Sequence, residues 1–283
     1  MTKILPPIAR IIPQETEIHD DIRIDNYAWL QDKSNPETID YITKENEYTD
    51  AILKPTEELK NQLYNEMIGR VQETDSSVPY KRGDYFYYTR TEEGKQYGIF
   101  CRKHKTLDAP EEIVLDENEL SAGLTQFVLG SRVVSPDNKH IAYAINTSGN
   151  EYYTIYIKNL ISSELCPETI TGTSAGLAWA NDNKTLFYCK QNDSKRPDKL
   201  FRHSINTDAS KDSLVYHEDD NTLFLGISRS SSGKFLFVYS SNFDSSKVMF
   251  INADAPSKPP KPLFPFTIGV QYFPEHSGDY FYI

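Results

Sequence analysis

The feature that most constrains this sequence is a repeat that begins near residue 81. Five times, a dipeptide typical of a turn precedes a run of aromatic and β-branched residues, which is the pattern of a turn leading into a strand. The runs start at anchor positions 84, 139, 184, 234 and 279, so successive anchors are separated by 55, 45, 50 and 45 residues. A period of this length indicates a fold built from repeated structural units.

Each unit contains three further segments with strand composition at matching positions. One lies 14 or 15 residues after the anchor, one lies 29 or 30 residues after it, and one precedes the next anchor. The segments at the first distance are 98–101, 154–157, 199–202 and 248–251; those at the second are 113–115, 168–170, 214–216 and 263–265; those before the next anchor are 127–129, 177–179, 223–225 and 269–272.

Four strands in about 49 residues is the pattern of a β-propeller blade. A β-sandwich with evenly spaced hairpins is the alternative, but it would not hold a four-strand register over successive units. The sequence therefore predicts a mainly β fold, an incomplete β-propeller with about four four-stranded blades over 81–266 and the start of a fifth. Because a propeller closes into a ring, a fifth unit that stops at Ile283 leads us to expect a truncated chain, through cloning, a gene break or division into two chains.

The N-terminal residues carry a different pattern. We therefore predict two domains, an N-terminal arm with two helices over 1–75 and the partial propeller over 76–283. Residues 1–33 contain three early prolines and predict an extended arm on some surface. Trp29 could anchor this arm, although ordinary core packing is the interpretation that we favour for it. Two amphipathic helices follow, the first beginning near Asn35 and Pro36 and the second after Thr56.

The second helix carries a broad apolar stripe, which we call the α2 stripe. It comprises Leu59, Leu63, Tyr64, Met67, Ile68 and Val71. Because two helices cannot bury such a stripe on their own, the sequence predicts a partner surface.

Composition excludes several classes of function. The chain has 30 basic and 41 acidic residues, a formal net charge of −11, whereas nucleic-acid binding requires a basic surface. The three cysteines, Cys101, Cys166 and Cys189, are widely spaced, which excludes a disulfide framework and a zinc ribbon and fits a reducing, cytoplasmic location. With no secretory signal, long apolar run, metal-ligand spacing or phosphate-binding glycine motif, we expect no membrane contact, metal or cofactor.

Several short motifs occur in the same order as in a known protein family. The pattern Pro6-Pro7 followed by Asp21-x-Arg23-x-Asp25-x-Tyr27-x-Trp29-Leu30 resembles the opening of the prolyl oligopeptidase family of serine peptidases. Later stretches resemble its oligopeptidase B branch, and the ordered set covers essentially all 283 residues. These stretches are 77–80, 94–97 with Cys101-Arg102, 134–137, 179–182, and 196–197 followed by 202–203.

This resemblance implies a seven-bladed propeller that caps an α/β-hydrolase domain, with the N-terminal arm and helices on the hydrolase side. It also implies hydrolysis of short peptides after Arg or Lys, while the propeller excludes large folded proteins. The expected partners are thus a missing C-terminal α/β-hydrolase domain, in the same or a separate chain, and short basic peptides. The family's catalytic Ser, Asp and His lie in the C-terminal half, and its motif G-G-S-x-G-G is absent here. We therefore predict no catalytic residue in this chain and no peptidase activity from it alone.

Two local patterns resemble functional sites. Gly172-Thr-Ser174-Ala-Gly176 fits the G-x-S-x-G pattern of a nucleophile elbow, but no helix is predicted after it, so we expect no nucleophile at Ser174. The acidic run His217-Glu-Asp-Asp220 would suit a cation or a basic peptide, although we interpret it as a solvated loop between strands.

Two other functions remain open at this stage. An independent propeller could serve as a protein-binding module without catalysis, but such a module would not need the two amphipathic helices. A propeller enzyme with a metal on its axis, such as a lactonase, would need inward carboxylates once per blade, and no such register is visible.

Overall fold

The structure is a computed structural model that describes residues 4–283. The chain divides into two compact units, Met1–Glu73 and Thr74–Ile283. No helix within the described residues is both long and apolar enough to cross a membrane.

The first unit begins with an irregular stretch followed by a hairpin. Strands β1 (Gln14–Ile18) and β2 (Asp21–Asp25) pair antiparallel. The two turn residues, His19 and Asp20, both adopt positive φ angles, 54° and 61°, as a two-residue hairpin turn requires. This hairpin was not predicted, because His-Asp is not a strong turn signal, unlike Asn-Gly.

Trp29 anchors the irregular stretch to the first helix. Its indole N–H donates to the carbonyl oxygen of Arg10 at 2.9 Å, and its ring meets that of Tyr41 edge-on. Helix α1 (Pro36–Leu53) begins as predicted, because the Asn35 side chain accepts a hydrogen bond from the backbone N–H of Glu37. Helix α2 (Glu57–Ile68) has no buried residue within this unit.

The second unit is built from antiparallel blades, as the repeat predicted. Blade 1 contains β3 (Tyr80–Arg82), β4 (Tyr85–Arg90), β5 (Ile99–His104) and β6 (Glu111–Asp116), followed by the short helix α3 (Glu117–Ser121). Blade 2 contains β7 (Val128–Val134), β8 (His140–Asn146), β9 (Tyr153–Asn159) and the first part of β10 (Leu165–Trp179). Blade 3 contains the last part of β10 with β11 (Thr185–Gln191), β12 (Pro197–Ser204) and β13 (Ser213–His217).

Blade 4 contains β14 (Phe224–Arg229), β15 (Phe235–Ser241), β16 (Ser246–Asn252) and β17 (Lys261–Pro262). A two-stranded fifth sheet contains β18 (Glu275–Ser277) and β19 (Tyr280–Tyr282). Within residues 4–283, the sheets do not close into a ring by strand pairing.

The repeat has a clear conformational cause. In every blade, the residue just before the anchor adopts a left-handed backbone conformation in the turn between the first and second strands. These residues are Gly83, Asn138, Asn183, Gly233 and Gly278, with φ angles of 58°, 61°, 59°, 72° and 61°. Glycine and asparagine tolerate this conformation best, which explains why the repeat is visible in the sequence.

Two predicted strands are wrong. Residues 263–265 and 269–272 are not strands, and the pairing lies instead at β17 and β18. At 263–265 the cause is the density of proline, since each proline lacks the N–H that a sheet ladder requires. The prolines are Pro256, Pro259, Pro260, Pro262 and Pro265. At 269–272 a turn interrupts the segment: Gly269 has a φ angle of 80°, and the Val270 N–H donates to the Thr267 carbonyl oxygen.

The hydrophobic core lies between consecutive blades. Three buried clusters fill the spaces between blades 1 and 2, 2 and 3, and 3 and 4, with Tyr143, Trp179 and Phe187 among their large members. Each blade therefore depends on its neighbours for burial, as expected of a repeat fold.

Candidate functional site

The first strands of blades 1 to 4 line one cavity of about 810 Å³. The side chains at its wall come from the C-terminal ends of these strands and from the turns that follow them. They include Arg82 from blade 1, Trp179 from blade 3 and Arg229 from blade 4. The propeller topology, rather than any local motif, thus brings these residues to a common site.

Side-chain hydrogen bonds at the cavity wall join successive blades. Arg82 Nη2 donates to the carbonyl oxygen of Val134 at 2.9 Å, and Arg229 Nη1 donates to that of Trp179 at 2.7 Å. The indole N–H of Trp179 donates to the carbonyl oxygen of Val133 at 3.0 Å. These bonds satisfy carbonyl oxygens at the ends of first strands, where the sheet ladder stops.

The cavity wall is positively charged although the chain is acidic. Lys81, Arg82 and Arg229 line it, and none of the described residues that line it is an Asp or Glu. Burial lowers the pKa of Arg229 below its ordinary value, and the nearby positive charge of Arg82 acts in the same direction. This site was not predicted from the sequence, because Arg229 in blade 4 lies far along the chain from Lys81 and Arg82 in blade 1.

A serine–histidine pair borders the same cavity. Ser232 Oγ lies 2.8 Å from His276 Nδ1, and Ser232 also accepts a hydrogen bond from the backbone N–H of Lys234. The neighbouring carboxylate of Glu275 accepts hydrogen bonds from Ser231 and from the backbone N–H of His276. Among the described residues no carboxylate contacts the His276 ring, so the pair lacks the third member of a Ser-His-Asp relay.

Ser174 has the wrong surroundings for a nucleophile elbow. It is buried within β10, and the next element along the chain is the strand β11 rather than a helix. An elbow requires a strand-to-helix turn, because the helix N-terminus helps to form the oxyanion hole. That turn does not occur at Gly172-Thr-Ser174-Ala-Gly176.

The acidic run His217-Glu-Asp-Asp220 leads from β13 into a loop between strands, as interpreted, but Glu218 is not solvated. Asp219 and Asp220 are exposed, but Glu218 is only 5% exposed. Its Oε2 accepts hydrogen bonds from Tyr216, Ser240 and Lys247 at 2.7, 2.6 and 2.9 Å. The cation that this run binds is therefore the chain's own Lys247, in a contact between blades 3 and 4.

Burial opposes ionisation of Glu218, but the hydrogen bonds from Ser240, Lys247 and Tyr216 outweigh burial. The pKa of Glu218 is therefore lowered from its ordinary value. The pair is thus ionised at neutral pH and stabilises the contact between the two blades.

A second buried polar contact joins blades 2 and 3. His203 on β12 is fully buried, with Nδ1 2.7 Å from Asp212 Oδ1 and Nε2 3.6 Å from Glu168 Oε1. Asp212 also accepts a hydrogen bond from the Tyr188 hydroxyl, while Glu168 accepts one from the backbone N–H of Asn206. His203 Nε2 and Glu168 Oε2 have no hydrogen-bond partner among the described residues.

The cysteines are unsuited to nucleophilic chemistry. Burial raises the pKa of Cys101 to about 11 and that of Cys189 to about 12, so both remain thiols at neutral pH. Within residues 4–283, no group of three or more metal-ligating side chains converges on one point.

The family model for the prolyl oligopeptidase N-terminal β-propeller domain matches residues 6–283. The chain belongs to the prolyl oligopeptidase family. It is 37% identical to Protease 2 of Moraxella lacunata over 280 residues, covering 96% of this chain and 41% of that protein. It is 35% identical to dipeptidyl aminopeptidase BI of Pseudoxanthomonas mexicana, covering 91% of this chain and 38% of that protein.

Solved structures of the same family share the fold. Oligopeptidase B from Leishmania major superposes with a TM-score of 0.89 at 26% identity, covering 97% of this chain and 41% of that chain. Oligopeptidase B from Trypanosoma brucei, solved in a closed form with covalently bound antipain, gives the same TM-score at 28% identity. This chain therefore corresponds to the propeller portion of these proteins and spans about two-fifths of the length of the relatives it matches.

Proposed function

We propose that this chain is the propeller portion of an oligopeptidase B-like serine endopeptidase that hydrolyses short peptides after Arg or Lys. The match to the propeller model over residues 6–283 carries the proposal. Two comparisons support assignment to the oligopeptidase B branch of the family. The chain is 37% identical to a protein named Protease 2, and it superposes on two oligopeptidase B structures with TM-scores of 0.89. On this proposal, the catalytic Ser, Asp and His belong to a hydrolase domain outside this chain.

The propeller's role is to limit which substrates reach that domain. Its blades are joined by buried cores and by side-chain hydrogen bonds such as the one from Arg229 to the Trp179 carbonyl oxygen. A rigid wall of this kind admits a flexible peptide more readily than a folded protein, which would have to unfold to pass. Short peptides are therefore the proposed substrates.

The α2 stripe supports a separate hydrolase domain as partner. Leu59, Leu63 and Met67 are 55%, 48% and 67% exposed, in a helix with no buried residue. Exposed apolar surface of this extent is typical of a protein–protein or domain contact. The proposed occupant is the α/β-hydrolase domain, in the same or a separate chain.

The test compares the 283-residue chain with the product of any reading frame that extends beyond Ile283 or lies next to it and carries the G-G-S-x-G-G motif. Each protein is assayed with two reporter peptides that differ only in Arg or Ala before the cleaved bond. We expect no cleavage by the 283-residue chain and cleavage after Arg by the longer or combined protein, abolished when the motif serine is replaced by Ala. Cleavage by the short chain, or equal cleavage of both reporters, would contradict the proposal.

The gating role needs its own comparison. The longer or combined protein is assayed with two substrates that contain the same cleavage sequence. In one substrate the sequence lies in a short flexible peptide, and in the other it lies within a folded protein. We expect rapid cleavage of the peptide only. If no nearby frame carries the serine motif and the chain captures a protein ligand, the alternative of a binding module without catalysis replaces the proposal.

A further inference from the structure

We propose that the cavity between the first strands is an anion-binding site for the C-terminal carboxylate of a peptide, with Lys81, Arg82 and Arg229 as its cationic groups. That the anion is a peptide carboxylate rests on the proposed function, whereas the anion site itself rests only on the geometry below.

The distribution of charge is the first observation. In a chain with a net charge of −11, the described lining of this cavity contains three cations and no carboxylate. A cleft lined by one sign of charge concentrates its electrostatic potential and attracts ions of the opposite sign. Two carboxylates outside the lining already accept hydrogen bonds: Asp254 accepts from the Asn181 amide, and Glu275 accepts from the cavity residue Ser231 and from the backbone of His276.

Unused hydrogen-bond donors are the second observation. Among the described residues, Arg82 makes one hydrogen bond, to the Val134 carbonyl oxygen, although a guanidinium carries five N–H donors. The Lys81 side chain makes no hydrogen bond within the described residues, and its ammonium group lies 5.9 Å from the centre of the Phe86 ring. A guanidinium with free donors matches the two oxygens of a carboxylate, which makes Arg82 the expected principal contact.

Mutual repulsion is the third observation. The charges of Arg82 and Arg229 are close enough to act on each other, as the lowered pKa of Arg229 reflects together with its burial. A bound anion would relieve this repulsion. Ser228 and Ser230 line the same cavity.

The experiment uses the 283-residue chain with Trp29→Phe, so that fluorescence reports on Trp179 in the cavity wall. The probes are trialanine with a free carboxylate, trialanine with a C-terminal amide, and inorganic phosphate. We expect the carboxylate form to bind at least tenfold more tightly than the amide and to weaken as salt increases. We expect Arg82→Gln to weaken binding at least fivefold, and Lys81→Gln to weaken it less.

Arg202→Gln is the matched control, because Arg202 donates to the Pro256 carbonyl oxygen and does not line the cavity. Arg82→Lys, which keeps the charge but not the paired donors of a guanidinium, should bind more weakly than the parent chain and more tightly than Arg82→Gln. A melting temperature of Arg82→Gln equal to that of the parent chain shows that its loss of binding is not unfolding. Equal binding of acid and amide, no binding of any probe, or equal loss in Arg202→Gln would overturn the site. Binding of phosphate without the carboxylate peptide would keep the anion site and overturn the peptide assignment. None of these outcomes depends on whether a longer protein cleaves after Arg.

Discussion

Trp179 donates its indole N–H to the backbone carbonyl oxygen of Val133 at 3.0 Å, and this bond joins the first strands of blades 2 and 3. Trp179 is also among the largest fully buried side chains and packs in the core between the same two blades. One side chain therefore supplies both the apolar contact and the polar contact that hold two repeats together.

Trp179→Phe should lower the free energy of unfolding of the second unit by about 1–3 kcal/mol. The Val133 carbonyl oxygen would lose the indole N–H, and the smaller ring would leave space in the core. The control is Trp29→Phe, which removes an indole hydrogen bond from a partly exposed site where water replaces it. Urea unfolding measures both variants, and an equal or larger loss in Trp29→Phe would contradict the role assigned to Trp179.

Gly83→Ala should destabilise the chain by about 1–2 kcal/mol, because Gly83 has a φ angle of 58° in the turn of blade 1 and a Cβ is disfavoured there. Gly226→Ala is the matched control, since Gly226 lies in β14 without positive φ and with no atom within 4 Å of an added Cβ. Gly83→Asn should cost less than Gly83→Ala, because asparagine occupies the same turn position in blades 2 and 3. Equal thermal stabilities of the two alanine variants would refute this explanation of the repeat.

The contact between blades 3 and 4 should depend on pH through Glu218. Its pKa is lower in the folded chain than its ordinary value, so the folded chain binds the proton less tightly. The stabilisation is therefore fully present above the ordinary carboxyl pKa and is lost as pH falls through the lower, folded pKa. Glu218→Gln should lower stability at pH 7 and flatten this acid-side decline.

Asp219→Asn serves as the control for the pH profile, because its side chain is 91% exposed and adjacent in sequence. It should leave the stability at pH 7 and the acid-side slope close to those of the unchanged chain. Thermal melts between pH 3 and pH 7 give both quantities. A Glu218→Gln profile as steep as that of the parent chain would show that other groups control the decline.

Glu168→Gln should leave stability unchanged or raise it. The substitution keeps the acceptor for the Asn206 N–H and replaces a buried, partly unpaired carboxylate with a neutral amide. Chemical denaturation measures the effect, with Asp212→Asn as the contrast, since Asp212 is paired with both His203 and Tyr188 and should be the more costly change. A loss of more than about 1 kcal/mol in Glu168→Gln would show instead that the Glu168 carboxylate makes a stabilising contact with His203.

The 283-residue chain should self-associate through its exposed apolar surface. Leu63→Ser combined with Met67→Ser should reduce association, because both residues belong to the α2 stripe and are 48% and 67% exposed. Val78→Ser is the control, an 89% exposed single apolar residue outside the stripe. Light scattering over a concentration series reports the mass, and a monomer at all concentrations before mutation would count against the prediction.

Much of the fold was predictable because its signals are local. The left-handed turn residues at Asn138, Asn183 and Gly233, and the aromatic runs after them, lie within a few positions of each other in the sequence. The Asn35 cap of α1 is local in the same way. Prediction failed at 263–265, where prolines prevented regular pairing, and at 269–272, where a turn at Gly269 interrupts the apolar segment.

The candidate site was not predictable, because its residues are distant in sequence. Arg82 and Arg229 belong to the first and fourth blades, and neither position carries a signal in its own segment. Glu218 is a second example. Its acidic neighbours in the sequence indicated a solvated loop, but Lys247 and Ser240 from blade 4 donate hydrogen bonds to it in the fold. No local pattern encodes which blade will approach a given side chain.

The sequence by itself determined the blade repeat, because turn conformation and strand alternation depend on short-range sterics and on the spacing of apolar residues. Only the tertiary structure decided which charges meet. Packing of blade against blade gathers Lys81, Arg82 and Arg229 around one cavity and places Lys247 against Glu218. Electrostatic energy depends on the distance between charges in space and on their burial, and neither can be inferred from how far apart the residues are in the sequence.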